Sequence, residues 1–165
     1  MYKEKPEFVT QWQRALPAKF QFVRLTQSDF GGNTMSRQTS PSMDAWLSEA
    51  KRHESAPKIG MYLTHNGVVR ESARAKVRLG AENTKPVTGM YFSYDREKVD
   101  AVIADAYKMD GIYYIKVWLN EGELSLGDDI MYVLVGGDIR SHVVDGLQYL
   151  VGRIKSECVT ETERN

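Results

Sequence analysis

The sequence predicts an α+β fold in which helices pack on one mixed, mostly antiparallel sheet. Segments rich in β-branched and aromatic residues alternate with segments whose apolar residues recur at helical spacing. The strand candidates IYYIKVWL and IMYVLV are separated only by a short turn, which favours antiparallel pairing. Helices covering such a sheet bury the apolar side of both layers, so the two kinds of element are expected to share one core.

The first 42 residues differ in character from the rest of the chain. They contain three prolines, a Gly-Gly-Asn turn and the polar tract SRQTSPS. Such composition is typical of a loosely ordered extension, which we predict over residues 1–42. Segments with helix-like or strand-like spacing of apolar residues begin at Met43, so residues 43–165 are predicted to form the folded domain.

The first half of that domain begins with DAWLSEAKRHE, a short helix candidate that stops before Pro57. A strand with alternating apolar residues follows, and Asn66-Gly67 in HNGVVR is predicted to turn the chain. The charged run over residues 71–85 lacks clear periodicity. It is interpreted as a mobile surface loop, for which a solvated connection without function is the simpler reading.

The second half contains two helices and three strands by the same criteria. VTGMYFSY predicts a strand over residues 87–94, after which Asp95 is expected to cap a helix that ends at Gly111. The two strand candidates joined by the turn over residues 123–129 come next. A final helix is predicted from about Ile139 to Lys155, with an apolar stripe towards the core.

Composition excludes several classes of function. The chain has 22 basic and 22 acidic residues, which argues against a nucleic-acid-binding stripe or a polybasic membrane anchor. Cys158 is the only cysteine, so neither an intrachain disulfide nor a cysteine-based metal cluster can form. No segment has about 18 consecutive apolar residues, and the histidines lack metal-ligand spacing. We expect a cytoplasmic protein without a membrane span, a metal site or a resident cofactor.

Two charged residues on the final helix are candidates for a site. The Gly-Gly-Asp sequence before Arg140 could expose backbone amides beside this guanidinium and so bind phosphate or carboxylate. In the alternative reading, Asp138 caps the helix and Arg140 is solvated. Lys155 could act as an amine nucleophile or base, although a lysine at a helix end commonly only complements the helix dipole. The two residues lie about 22 Å apart along a helix, so a common pocket would have to span a dimer interface.

GELSLGDDIMYVLV, the following helix with Arg140 and Lys155, and the upstream HNGVVR together resemble the large catalytic subunit of molybdopterin synthase, the MoaE family. The resemblance covers about residues 58 to 156. It implies the family's α/β hammerhead-like domain, working as a homodimer with two copies of a small ubiquitin-like sulfur carrier. The implied reaction transfers sulfur from the thiocarboxylated carrier to cyclic pyranopterin monophosphate. Arg70 and Arg140 match the family's anion-binding arginines, and Lys155 matches the first of its two catalytic lysines.

The chain departs from the family pattern near these residues. Ile139 stands where the family has histidine, and Thr162 falls at the position of the second lysine. Three glutamates in the same tail make it acidic. These departures keep open a second hypothesis, in which the protein is a non-catalytic paralogue that binds the sulfur carrier or regulates cofactor assembly.

Overall fold

The computed structural model describes residues 39–82 and 84–165. The predicted loosely ordered extension therefore lies outside the described residues, apart from positions 39–42. Within that short piece, the Ser42 side chain accepts a hydrogen bond from the Ala45 amide at 3.2 Å and caps the first helix.

Helices and strands alternate along the described part of the chain. The helices are α1 (Met43–Ala50), α2 (Arg74–Leu79), α3 (Arg96–Ala106) and α4 (Arg140–Arg153). The strands are β1 (Met61–Val68), β2 (Gly89–Tyr94), β3 (Ile112–Leu119), β4 (Gly122–Ser125), β5 (Asp129–Gly137) and β6 (Val159–Arg164). A 3-10 turn spans Ala56–Lys58, and a π-helical turn, Ile154–Cys158, continues α4.

The strands form two antiparallel sheets of three strands each. One sheet has the order β1-β5-β3 and the other has the order β4-β2-β6. The predicted α+β class is confirmed, but the strands divide between two sheets instead of joining one. The division arises because the chain leaves β3 through β4, which pairs with β2, before it returns to the first sheet as β5.

The first sheet is covered on both faces, which explains why its central strand is so apolar. Leu134 of β5 packs with Trp46 of α1 on one face. Its neighbours Val133 and Val135 point to the other face, because side chains alternate along a strand, and they join the main core with Leu150 of α4. This arrangement fixes α4 against the sheet and so determines where both of its ends lie.

Helix α4 agrees with its predicted apolar stripe. Val143 and Leu150 of α4 and Ile154 of the following π turn are completely buried, while Leu147 and Val151 are only half-buried. Gly146 allows close packing, since a Cβ at this position would lie 2.6 Å from Ile112 Cδ1. Within the described residues, no helix is long and apolar enough to cross a membrane.

The predicted turn at Asn66-Gly67 is wrong. Strand β1 continues through both residues, which pair with Tyr132 and Met131 of β5. The Asn66 side-chain amide also donates to Asp129 Oδ1 at 2.9 Å. A local turn preference is overridden here because β5 is long enough to offer hydrogen-bond partners to the whole of β1.

Other boundaries also differ from the sequence-based expectations. Asp95 caps α3 as predicted and accepts from the Lys98 amide at 3.2 Å, but α3 ends at Ala106 and not at Gly111. Gly111 instead has a φ of +72° in the turn before β3, a conformation that favours glycine. The charged run interpreted as a loop contains the short helix α2. Neither β4 nor β6 was predicted.

Candidate functional site

A cavity of about 420 Å³ lies where the end of α4 meets β1 and α2. Its basic lining residues are His65, Arg74, Arg78 and Lys155. The remaining lining residues come from α4 and the turn after it, and they are Leu147, Gln148, Val151, Gly152 and Ser156. Four basic side chains from three separate segments of the chain therefore meet at one concave surface, partly walled by apolar groups.

Lys155 reaches the cavity from the π-helical turn that follows α4. Its side chain is 32% exposed, so the amine is sheltered but remains accessible to a ligand. In this π turn the main-chain carbonyl of Arg153 accepts hydrogen bonds from the Ser156 hydroxyl at 3.4 Å and from the Cys158 thiol at 3.9 Å. Short π-helical segments inside helices often occur at functional sites.

Cys158 itself is an unfavourable nucleophile. The thiol is buried, and burial raises the pKa of Cys158, an effect to which the neighbouring Glu157 adds. Because the thiolate is the reactive form, this thiol is less reactive than an exposed cysteine. Nothing in its surroundings therefore marks Cys158 as a nucleophile.

Helix α2 contributes two arginines from one face. Arg74 and Arg78 are four positions apart, a spacing that places both side chains on the same side of a helix. Strand β6 holds the start of this helix. The Glu163 carboxylate accepts from the Arg74 amide at 2.8 and 3.2 Å, and Glu161 Oε2 lies 3.3 Å from Arg74 Nη1.

Glu161 links the two sides of the cavity. Its Oε1 atom lies 3.7 Å from Lys155 Nζ, while its other oxygen contacts Arg74. The Glu161 side chain is only 13% exposed, and among the described residues Oε1 has no hydrogen-bond partner. Because successive side chains of β6 point to opposite faces, Glu161 and Glu163 point inward and Thr162 is exposed on the opposite face.

His65 shares the cavity with Lys155. It lies on the same face of β1 as Leu63, the face that α4 covers. Burial lowers the pKa of His65, and the positive charge of Lys155 lowers it further, so the imidazole is neutral at neutral pH. Its Nε2 atom is buried and has no hydrogen-bond partner within the described part of the chain.

The two other predicted site residues lie away from this cavity. Arg70 is exposed, and its Nε donates to the Ser72 carbonyl at 3.0 Å. Arg140 is the exposed first residue of α4, close to the end of β5. Because Met61 pairs with Gly137 and Val68 pairs with Asp129, Arg70 and Arg140 lie at opposite ends of the β1–β5 pair. A single subunit does not bring the three predicted residues together.

The Gly-Gly-Asp segment before Arg140 has a different role from the predicted one. Both glycines belong to β5, and a Cβ at Gly137 would lie 2.4 Å from the Gly111 carbonyl oxygen. Asp138 Oδ1 accepts from the Ile139 amide at 2.6 Å and lies 2.7 Å from His142 Nδ1. The hydrogen bond with His142 lowers the pKa of Asp138. This carboxylate therefore occupies the Ile139 amide beside Arg140, but it does not cap α4 as the alternative reading expected, because the N-cap residue is Ile139, which has no side-chain capping hydrogen bond.

Comparison with known proteins identifies the family of this chain. A family model described as MoaE protein matches residues 39–157. The chain belongs to the MoaE family. The match begins earlier than the resemblance found in the sequence, and it includes α1 and both arginines of α2. A search of curated protein sequences gave no significant match.

Solved structures share the MoaE fold at low identity. A molybdopterin biosynthesis MoaE protein from Burkholderia ambifaria is 17% identical, with a TM-score of 0.58, and the match covers 76% of this chain and 82% of that protein. Molybdopterin synthase from Staphylococcus aureus is 16% identical with a TM-score of 0.57, covering 75% and 85% respectively. A complex of subunits 1 and 2 of the molybdopterin-converting factor from Helicobacter pylori is 15% identical with a TM-score of 0.54, covering 73% and 74%.

Family and fold together place this chain in molybdenum cofactor biosynthesis. Among the described residues that line the cavity, Lys155 was predicted from the sequence as a site residue, whereas His65, Arg74 and Arg78 were not. The i, i+4 arginines of α2 were a detectable signal, although the segment was interpreted as a loop. Glu161 was noticed only as part of an acidic tail, and His65 was considered only as a metal ligand. In the described part of the chain, no group of three or more His, Cys, Asp or Glu residues could hold a metal ion.

Proposed function

We propose that this MoaE family member is the large subunit of a molybdopterin synthase. In this role it transfers sulfur from the thiocarboxylated C-terminus of a small ubiquitin-like carrier to cyclic pyranopterin monophosphate. The observation that carries the proposal is the position of Lys155, whose amine lies half-buried in a cavity lined by further basic side chains. Both reactants are anionic, so a basic cavity is suited to receive either of them.

The proposed role of Lys155 follows from the chemistry of an acyl-sulfur donor. An amine close to the carrier's terminal acyl carbon can act as a nucleophile or can donate a proton during cleavage of the carbon–sulfur bond. A narrow Gly-Gly terminus also suits this cavity, because the lining beside Lys155 includes Gly152, which has no side chain, and Ser156, whose side chain is small. Lys155 is accordingly proposed as the catalytic residue.

We propose Arg70 and Arg140 as substrate-binding residues of the same reaction. Arg140 and Lys155 are separated by about 22 Å along the helical axis, so they can serve one substrate only if a second copy of the chain contributes one of them. This distance supports a homodimer with a shared site. The Helicobacter pylori match is a complex of two subunits, which supports a small carrier subunit as the partner. A reducing cytoplasm suits the single cysteine.

A second candidate function rests on the acidic residue beside the amine. Glu161 pairs with Lys155 and with Arg74, and Thr162 at the second lysine's position faces away from the cavity. This arrangement supports a non-catalytic paralogue that binds the carrier or regulates cofactor assembly. Its cavity would hold a partner's C-terminus without transferring sulfur.

Reconstitution with thiocarboxylated carrier and cyclic pyranopterin monophosphate distinguishes the two functions. We expect the wild-type chain to produce molybdopterin and Lys155→Ala to lower the rate at least about 100-fold, as expected for loss of a catalytic group. Lys108→Ala is the matched control, because Lys108 is 74% exposed and pairs with Asp105 away from the cavity. A stable carrier complex without product from the wild-type chain would instead support the non-catalytic paralogue.

A further inference from the structure

The charges around the cavity do not cancel evenly. Three residues of the lining are arginines or lysines, and they are Arg74, Arg78 and Lys155. Glu161 pairs with both Arg74 and Lys155, and the Glu163 carboxylate accepts a hydrogen bond from the Arg74 amide. Within residues 39–82 and 84–165, no carboxylate forms an ion pair with Arg78. Among the described residues that line the cavity, the Arg78 guanidinium is therefore available to a ligand.

We propose that Arg78 is the oxyanion-binding residue of this cavity and that α2 is the element that positions it. This inference rests on the proposed function. It adds Arg78 to the predicted site residues, which were Arg70, Arg140 and Lys155. Arg74 has a separate role, because its amide and guanidinium tie α2 to Glu163 and Glu161. Those contacts hold Arg78, one helical turn further on, at the cavity rim.

The chemistry of a guanidinium defines the class of ligand. Arginine presents a planar pair of N–H donors that matches two oxygens of a phosphate or a carboxylate. Leu147 and Val151 form an apolar part of the same wall, and an apolar wall strengthens the attraction between a cation and an entering anion. The ligand is therefore a terminal oxyanion, either the C-terminal carboxylate of a peptide or a phosphate monoester.

Thr162 strengthens the case for α2 as the source of this positive charge. Its side chain is on the exposed face of β6, opposite to Glu161, so the groups of β6 that contact the lining residues Arg74 and Lys155 are the carboxylates of Glu161 and Glu163. Lys155 is the only lysine among the described residues that line the cavity, and Glu161 already pairs with it. Any further attraction for an anion must come from α2, and Arg74 is engaged there.

Binding measurements on the full chain test the assignment. Isothermal titration would compare wild type, Arg78→Ala and Arg78→Lys against two probes, inorganic phosphate and a short peptide ending in a Gly-Gly carboxylate. We expect Arg78→Ala to weaken binding of at least one probe about 10-fold or more, and Arg78→Lys to recover part of the loss, since a lysine keeps the charge but not the fork. The probe that responds identifies the source of the oxyanion.

Arg52→Ala is the matched control, because Arg52 is also an exposed arginine but does not line the cavity. It should change either affinity less than about twofold, since a distant exposed charge is screened by salt. Equal effects of Arg78→Ala and Arg52→Ala, or no binding of either probe to the wild-type chain, would overturn the proposal. Thermal unfolding of each variant verifies that the exposed substitutions leave the fold intact.

The same variants separate this inference from the proposed function. If the wild-type chain makes no molybdopterin but Arg78→Ala still weakens oxyanion binding, the proposed binding site is supported and the proposed synthase activity is contradicted. If the wild-type chain is active and Arg78→Ala has unchanged kcat and KM for both reactants, the proposed synthase activity is supported and the proposed role of Arg78 is contradicted.

Discussion

Glu161 Oε1 lies 3.7 Å from Lys155 Nζ, so the candidate catalytic amine of this MoaE domain lies beside a nearly buried carboxylate. The other oxygen of Glu161 contacts Arg74 at 3.3 Å. One residue of the final strand therefore sets the charge at the end of α4 and also anchors α2. The position of Glu161 makes β6 part of the site, although the segment contains no expected catalytic group.

Replacing Glu161 by glutamine should strengthen oxyanion binding. The change removes one negative charge close to Lys155 and Arg74 while keeping the shape of the side chain. Two unit charges about 4 Å apart interact by about 1 kcal/mol even at the dielectric constant of water. Removal of a repulsion of this size corresponds to roughly a fivefold gain in affinity for phosphate. Isothermal titration at low ionic strength would measure this gain.

Glu157→Gln is the appropriate comparison for Glu161→Gln. Glu157 carries the same charge on the neighbouring turn but pairs with Arg153 at 2.7 Å outside the cavity lining. Its substitution should change phosphate affinity less than about twofold because of screening by solvent and salt. Weaker phosphate binding by Glu161→Gln than by wild type would show that Glu161 mainly orders the site.

Thr162→Lys should not restore the family's second lysine to this cavity. Residues along β6 alternate between the two faces, and Thr162 lies on the exposed face while Glu161 points inward. A lysine at position 162 would project away from Lys155, so phosphate affinity and sulfur-transfer rate should stay within about twofold of wild type. A tenfold increase in either measurement would mean that β6 adopts a different register when substrate binds.

The sequence predicted the elements whose stability depends on their own apolar pattern. Val99, Val102 and Ile103 gave the position of α3, and the stripe on α4 gave the final helix. Strand β6 was missed because its inward positions after Val159 are Glu161 and Glu163. These side chains find partners only in the folded state, so VTETER has no apolar face to detect.

Helix α2 was missed for a related reason. With six residues it is too short to be stable alone, and β6 holds it through Arg74, far away in sequence. Lys155 could be predicted because a family motif marks it. The residues that surround it could not, since their proximity depends on the register between β1 and β5 and on the packing of α2 against β6.

The Lys116–Glu49 ion pair should make a measurable contribution to stability. Lys116 Nζ lies 2.5 Å from Glu49 Oε2 and 5.1 Å from the centre of the Trp46 ring, and its side chain is only 9% exposed. Glu49→Gln would leave a nearly buried ammonium without its counter-charge. Because Glu49 itself is 39% exposed, we expect a loss of about 1–3 kcal/mol in the free energy of unfolding, below the value for a fully buried pair.

Urea unfolding would measure this loss, with Lys108→Ala as the comparison. That substitution breaks the exposed Lys108–Asp105 pair and should cost less than about 0.5 kcal/mol. If both variants unfold at the same urea concentration, the contact between α1 and the first sheet does not depend on the ion pair, and apolar packing around Trp46 holds α1 in place.

Titration of His65 should make the fold sensitive to acid. Burial and the charge of Lys155 hold the pKa of His65 below its ordinary value in the folded state. The unfolded chain therefore binds the proton more readily, so stability is fully present above the unfolded pKa of about 6.5 and decreases as the pH falls below it. His65→Phe and His65→Gln remove this titration, and both should lose less stability than wild type between about pH 8 and about pH 5.

Comparing the two His65 variants separates titration from packing. Phenylalanine also removes a buried nitrogen that has no hydrogen-bond partner among the described residues, so His65→Phe should be the more stable variant at every pH. Glutamine does not titrate in this pH range but keeps a polar group. His65→Gln should therefore flatten the pH dependence of stability without the gain in stability expected for His65→Phe. Parallel stability curves for wild type and both variants would show that groups other than His65 cause the loss of stability in acid.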